Sequence, residues 1–157
     1  MLIDWLPNKP NKVELLLNSN IHGDSGNIFH QLCDGKGPTY SIIETVKGHK
    51  FGGYTNKSWD NLYKPIRDDN AFIFSLDTKR KYPIKNKEKA IGGGENNRLC
   101  LFFGYSDNSI VTFNECCHEN QGEKNYIEKG AYDFDKTKEN GGERHFTIKS
   151  YEVYSIS

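Results

Sequence analysis

Four cysteines and five histidines are the side chains of this 157-residue chain best suited to nucleophilic or metal chemistry. His30 and Cys33 are the pair most suggestive of a reactive thiol, because residues three apart on a helix face one another. His22 and His49 are further candidate bases for the same thiol. A working thiolate also needs an orienting group and an oxyanion site, and no local motif supplies them. Burial as a small hydrophobe is the competing reading for Cys33, and for Cys100 as well. Cys116-Cys117-His118 sets three ligand types side by side. Zinc sites favour cysteines roughly two to four residues apart with a second pair further on, and neighbours in a strand point to opposite faces. No metal and no cofactor is expected.

Asp24, Asp34, Asp60, Asp68 and Asp69 offer carboxylates, but no spacing separates an acid–base pair from ordinary turn and cap residues. Asp24-Ser25-Gly26 lacks the ligand series of a calcium loop. Gly92-Gly93-Gly94 is not followed by the rest of a P-loop, and it reads as a loop. Catalytic residues are therefore expected to be absent.

The elements that carry these residues are short. Pro7 and Pro10 bracket a non-helical lead-in, and Val13–Leu17 reads as a strand buried on both faces. Residues 25–33 read as a helix, with Asp24 or Ser25 as N-cap, Ile28, Phe29 and Leu32 at helical spacing, and Gly35 as the stop. The period then changes to two. Tyr40–Val46 and His49–Tyr54 form a hairpin about Lys47-Gly48, with 40, 42 and 46 on one face. Ala71–Leu76 belongs in the middle of a sheet. Residues 99–103 and 109–113 add two strands, and 146–154 closes the chain. In that last strand Phe146 and Ile148 lie on one parity and Tyr151 and Val153 on the other, so a β-bulge near Ser150 is predicted. Residues 77–98 and 114–145 are polar and rich in Gly, Asn, Lys and Glu; they read as surface loops, with Thr137–Glu143 the most mobile.

Many short strands with few helices predict a mainly β (α+β) fold, a two-layer antiparallel β-sandwich with a few short helices. Nine Tyr and nine Phe suit such a core. The 21 basic and 21 acidic side chains leave no excess for nucleic acid, and Lys79-Arg80-Lys81 reads as a solvated loop. No apolar run reaches the roughly 20 residues of a membrane span, and Asp4 and Pro7 interrupt any signal peptide. These features point to a cytoplasmic protein, with neither nucleic acid nor membrane insertion, acting as a monomer with reduced cysteines.

Phe51-Gly52-Gly53-Tyr54 with Trp59 carries more information. Paired glycines inside a strand mark a bend, a bulge or close approach by another backbone, and the aromatics around them could also shape a recognition surface.

Taken in order, several blocks resemble the TLDc domain family: Leu15-Leu16-Leu17 before Gly23; Phe29-His30 with Cys33-Asp34-Gly35-Lys36-Gly37-Pro38-Thr39; Ile42-Ile43 leading to Phe51–Tyr54 and Trp59; Ala71–Leu76; Phe103-Gly104 with Ser106–Ile110; and Tyr151–Tyr154. The resemblance covers nearly the whole chain. It implies one TLDc-like domain over residues 1–157 and a β-sandwich that binds proteins rather than catalyses. The partner it implies is the V-type ATPase or another cytosolic assembly, in a eukaryotic protein linked to oxidative-stress protection. The alternatives are a thiol-dependent antioxidant or hydrolytic enzyme using Cys33 and His30, and a scaffold domain of a larger protein. Partner-binding residues are expected at Asp34, Lys36, Gly37, Gly52, Gly53 and Trp59. The chain departs from the family pattern at Asn18, at Ile21-His22 and in its single Gly104, and, because members often carry an additional segment upstream of the opening strand, a truncated domain or a fragment of a longer protein is expected.

Overall fold

The computed structural model describes residues 2–62, 64–92, 99–105, 109–113, 115–134 and 137–157. Gly93, Gly94 and Ser106-Asp107-Asn108, which the glycine-loop and family-block readings include, lie outside the described residues.

Two antiparallel sheets form the molecule. The strands are β1 (Val13–Asn18), β2 (Thr39–Thr45), β3 (Lys50–Thr55), β4 (Pro65–Ile66), β5 (Phe72–Ser75), β6 (Arg80–Pro83), β7 (Ile91–Gly92), β8 (Leu99–Phe103), β9 (Ile110–Phe113), β10 (Tyr126–Ile127) and β11 (Ile148–Ile156). The six-stranded sheet runs β1-β11-β2-β3-β5-β6, and the five-stranded sheet runs β10-β9-β8-β7-β4. Two short helices, α1 (Ser19–His22) and α2 (Gly26–Cys33), link β1 to β2. The predicted mainly β sandwich is the fold observed. None of the described helices is long and apolar enough to cross a membrane.

The core between the sheets gathers Leu17, Phe29, Ile43, Phe51, Trp59, Ile73, Leu101, Phe103, Ile110, Ile127, Tyr132, Phe134, Tyr151 and Val153. Each such side chain stabilises the fold by about 1.5–3 kcal/mol through lost apolar exposure. A second apolar cluster lies on the outer face of the large sheet. There Tyr40, Tyr54, Phe72 and Phe74 are covered by the N-terminal Leu2, Trp5 and Leu6.

That covering explains β5, buried along its whole length. Ile73 points into the sandwich core and Phe72 and Phe74 point under the N-terminal segment. The strand is nevertheless second from the sheet edge, beside β6, rather than central. The hairpin of β2 and β3 forms as predicted, Thr39 opposite Thr55 through Glu44 opposite Lys50, with the Gly48 amide donating to the Thr45 carbonyl. The register of β11 against β2 shifts between Ile148 and Ser150, which is the predicted bulge. It turns Ile148, Tyr151 and Val153 onto the same core face.

Other expectations are corrected. β1 is an edge strand bonded to β11 alone, so Val13 and Leu15 are 39% and 41% exposed and only Leu17 enters the core. Arg80 and Lys81 belong to β6 rather than a loop, and Lys81 reaches the Trp5 carbonyl and lies over the Phe72 ring. The polar stretch 114–145 is no peripheral loop: Cys116, Asn125, Ile127, Ala131, Tyr132 and Phe134 are all buried. The Tyr132 hydroxyl donates to the Ala90 carbonyl at 2.7 Å. Within 137–143, Glu139 is buried and accepts from Thr78 and Tyr82, and the Asn140 amide donates to the carbonyls of Glu143 and His145.

Candidate functional site

Helix α2 begins at Ser25, whose hydroxyl accepts from the Ile28 amide, the N-cap bond that satisfies an otherwise orphaned donor. One turn before its end stands His30, buried at 7% exposure. Its Nε2 lies 3.0 Å from the Leu99 carbonyl, an acceptor only, so Nε2–H donates. Its Nδ1 lies 2.8 and 3.0 Å from the two oxygens of Asp34, and one proton sits in that contact. Burial raises the Asp34 carboxyl above its ordinary range, and the His30 contact pulls it back in part.

The chain after the helix is anchored by its backbone. Asp34 bridges to Trp59, the Gly35 amide donates to the Trp59 carbonyl at 3.0 Å, and the Gly37 amide donates to Ser58 Oγ at 2.8 Å. Gly37 has φ +74°, a conformation that side chains disfavour. Lys36 is exposed between these anchors, and Asp34 and Gly37 are half-buried. Residues 34–37 therefore form a pinned, solvent-facing turn.

Gly52, Gly53 and the Trp59 side chain face the interior instead. All three are buried, Trp59 at 1% exposure. A Cβ on Gly52 would fall 1.8 Å from the Ser41 carbonyl oxygen, and one on Gly53 would fall 2.5 Å from the Phe103 ring. The missing side chains let a ring of the small sheet rest on the backbone of the large one. Trp59 meets Phe103 edge-on at 5.3 Å and 90°, and Phe29 at 5.5 Å. Its Nε1–H donates to Thr39 Oγ1 at 3.0 Å. Expected as contact residues, these three have no surface to offer a partner; their chemistry is that of packing.

The geometry speaks against the thiol reading of Cys33. Cys33 is fully buried, and burial together with the Asp34 charge pushes its thiol far above the ordinary range. Both ring nitrogens of His30 are engaged with Asp34 and Leu99. The scattered aspartates act as turn ligands. Asp68 accepts from Thr55 Oγ1, the Asn56 amide and the Asn70 amide, Asp60 accepts from the Leu62 amide, and Asp69 pairs with Arg67 at 2.9 Å.

Sequence reasoning missed one cluster. Cys116 and Cys117 follow β9 in a turn, not a strand, so neighbouring side chains need not point apart. The Cys117 amide donates to Asp24 Oδ2 at 2.5 Å, and the sulfurs of Cys100 and Cys116 lie 3.6 and 3.7 Å from the Asp24 carbonyl oxygen. A hydrogen bond from Cys116 lowers the Cys117 thiol, whereas burial raises that of Cys116. No spacing along the sequence announces this meeting of three segments.

The family model that matches, the TLDc domain, spans residues 1–157. The chain belongs to the TLDc domain family. This TLDc domain is similar to MTOR-associated protein MEAK7 of several vertebrates. Identity is 31% over 62 residues to the Danio rerio protein, 37% over 68 residues to that of Gallus gallus and 35% over 65 residues to that of Homo sapiens. Each match covers 40–41% of this chain and 14% of the relative, so the domain corresponds to a small part of those proteins.

Proposed function

We propose that this TLDc domain is a non-catalytic, cytoplasmic docking module that presents the turn Asp34-Lys36-Gly37 to a protein partner. The observation that carries the reading is the form of that turn. Two backbone hydrogen bonds and the His30–Asp34 contact hold it, while Lys36 stays in solvent. A preorganised charged loop gives up little conformational freedom on binding, so more of its contact energy appears as affinity. Family membership supports a regulatory module over an enzyme, and neither Cys33 nor the aspartates around it offers an activated group.

The partner proposed is the cytosolic sector of the V-type ATPase, which the TLDc resemblance brings forward, with a role in oxidative-stress protection. The relatives are named for association with mTOR, which makes an mTOR-containing assembly the second partner to try. A pull-down with purified pump sector at micromolar concentrations tests the reading. Retention by the wild-type domain and loss with Lys36→Glu supports it. No retention of either protein, or equal retention of both, overturns the turn as the docking site.

A further inference from the structure

Three segments distant in sequence meet beside the N-terminus of α2: the loop carrying Asp24, the strand β8 carrying Cys100, and the turn carrying Cys116 and Cys117. A carboxylate oxygen of Asp24 and the sulfurs of Cys116 and Cys117 all lie within 4.8 Å of one another. In a tetrahedral zinc site with Zn–S of about 2.3 Å and Zn–O of about 2.1 Å, neighbouring donors stand roughly 3.5–3.8 Å apart.

The support around these donors is of the kind that orients metal ligands. The Cys117 amide fixes Asp24 Oδ2, and the Asp24 carbonyl oxygen gathers the Cys100 and Cys116 sulfurs on one side. Cys116 is buried and Cys117 half-buried, so the cluster has a dry floor and an open flank for an ion to enter.

A separate observation comes from the opposite strand. Tyr151 of β11 is 1% exposed, and its hydroxyl has no hydrogen-bond partner of acceptable geometry. The thiols of Cys100, Cys116 and Cys33 are its electrostatic neighbours, and Cys100 is close enough for a weak hydrogen bond. A buried hydroxyl is seldom left this way. A neutral thiol is a poor acceptor, but a metal-bound thiolate carries the charge that would take the Tyr151 proton in a hydrogen bond.

We propose that Asp24, Cys116 and Cys117 form a zinc-binding site, with water completing the fourth position. The mixed donor set selects the ion. Thiolates exclude magnesium and calcium, which take oxygen ligands, and the carboxylate disfavours copper(I), which prefers sulfur alone. The site closes the turn after β9 onto the loop before α2.

The test uses the full chain, purified under reductant, stripped with chelator and titrated with zinc against a chromophoric competitor, with cobalt(II) as spectroscopic stand-in. The expected result is one zinc per chain, a thiolate-to-cobalt charge-transfer band, and at least tenfold weaker binding in both Cys117→Ser and Asp24→Asn. These two positions are half-buried, so the variants do not depend on refilling the core as Cys116→Ser would; circular dichroism checks that they fold. Loss of the charge-transfer intensity in Cys117→Ser with retained fold supports the site. Less than half an equivalent bound by wild type, a cobalt spectrum without sulfur character, or binding unchanged in both variants overturns it.

Discussion

Two neighbouring regions of this TLDc domain stand out equally in the sequence and serve opposite ends. Gly52-Gly53 with Trp59 lies in the core, where an added methyl would strike a carbonyl oxygen or an aromatic ring. Asp34–Gly37 lies against the same Trp59 backbone, yet faces solvent. The first region sets how closely the sheets pack. The second takes its shape from the first, because the turn is hydrogen-bonded to Trp59 and Ser58. Residue types that mark a family block thus show that a position is constrained without showing whether a neighbour or a partner constrains it.

The comparison can be broken most severely at Gly52. Gly52→Ala places a carbon 1.8 Å from the Ser41 carbonyl oxygen, where only a shift of the β2–β3 pairing relieves the clash. The expected loss is about 5 kcal/mol or more, the low end of total domain stability, read as the disappearance of a cooperative urea transition. A variant that unfolds like wild type would show that the close approach carries no weight. Trp59→Ala comes next, at about 3–5 kcal/mol for a large aromatic removed from a packed core. It should also loosen the turn, seen as faster amide exchange at Gly35 and Gly37; protected amides there would separate the two regions after all.

Asp34 gives a smaller, pH-dependent effect. Burial holds its carboxyl above the ordinary range, so the folded protein binds this proton at higher pH than the unfolded chain, whose carboxyl titrates near about 4. The contribution favours folding below that unfolded value and is lost as pH rises through the folded one. Asp34→Asn should flatten this part of the stability profile, followed as urea midpoints from acid to neutral pH. A steeper profile in the variant would mean that the His30 contact outweighs burial. Smallest is Lys36→Glu, expected within about 0.5 kcal/mol of wild type in stability, as for other solvated side chains. Its effect should appear only in partner retention.

Much of the large sheet was legible because its determinants are local. Lys47-Gly48 sets the hairpin, Ser25 caps α2, and the change of parity between Ile148 and Tyr151 announces the bulge. Legibility failed where tertiary context decides. The apolar run of β1 gave no sign that it would be an edge. The strand β5 is buried on its outer face only because Trp5 and Leu6 fold across it. Residues 114–145 carry no period, yet Tyr132 and Phe134 enter the core by way of short turns and a two-residue strand. The Asp24–Cys116–Cys117 corner was hidden for the same reason: its ligand types come from segments about 90 residues apart, and adjacent cysteines were judged by strand geometry that the turn does not have. The exposure of Lys36 in its polar turn is what its residue type suggests, while the burial of Gly52, Gly53 and Trp59 depended on where Phe103 of the other sheet would lie.

The position of β11 bears on how the domain is made. The strand lies between β1 and β2, pairing Val13 with Ile156 on one side and Tyr40 with Tyr154 on the other. While the chain emerges from the ribosome, β1 has no neighbour and β2 offers an open flank until residues 148–156 are synthesised. Closure of the sheet thus waits for this segment, governed by a long-range pairing of the kind that folds slowly and leaves sticky edges in the interval. Nascent copies should lean on chaperones more than the modest size of the domain would suggest.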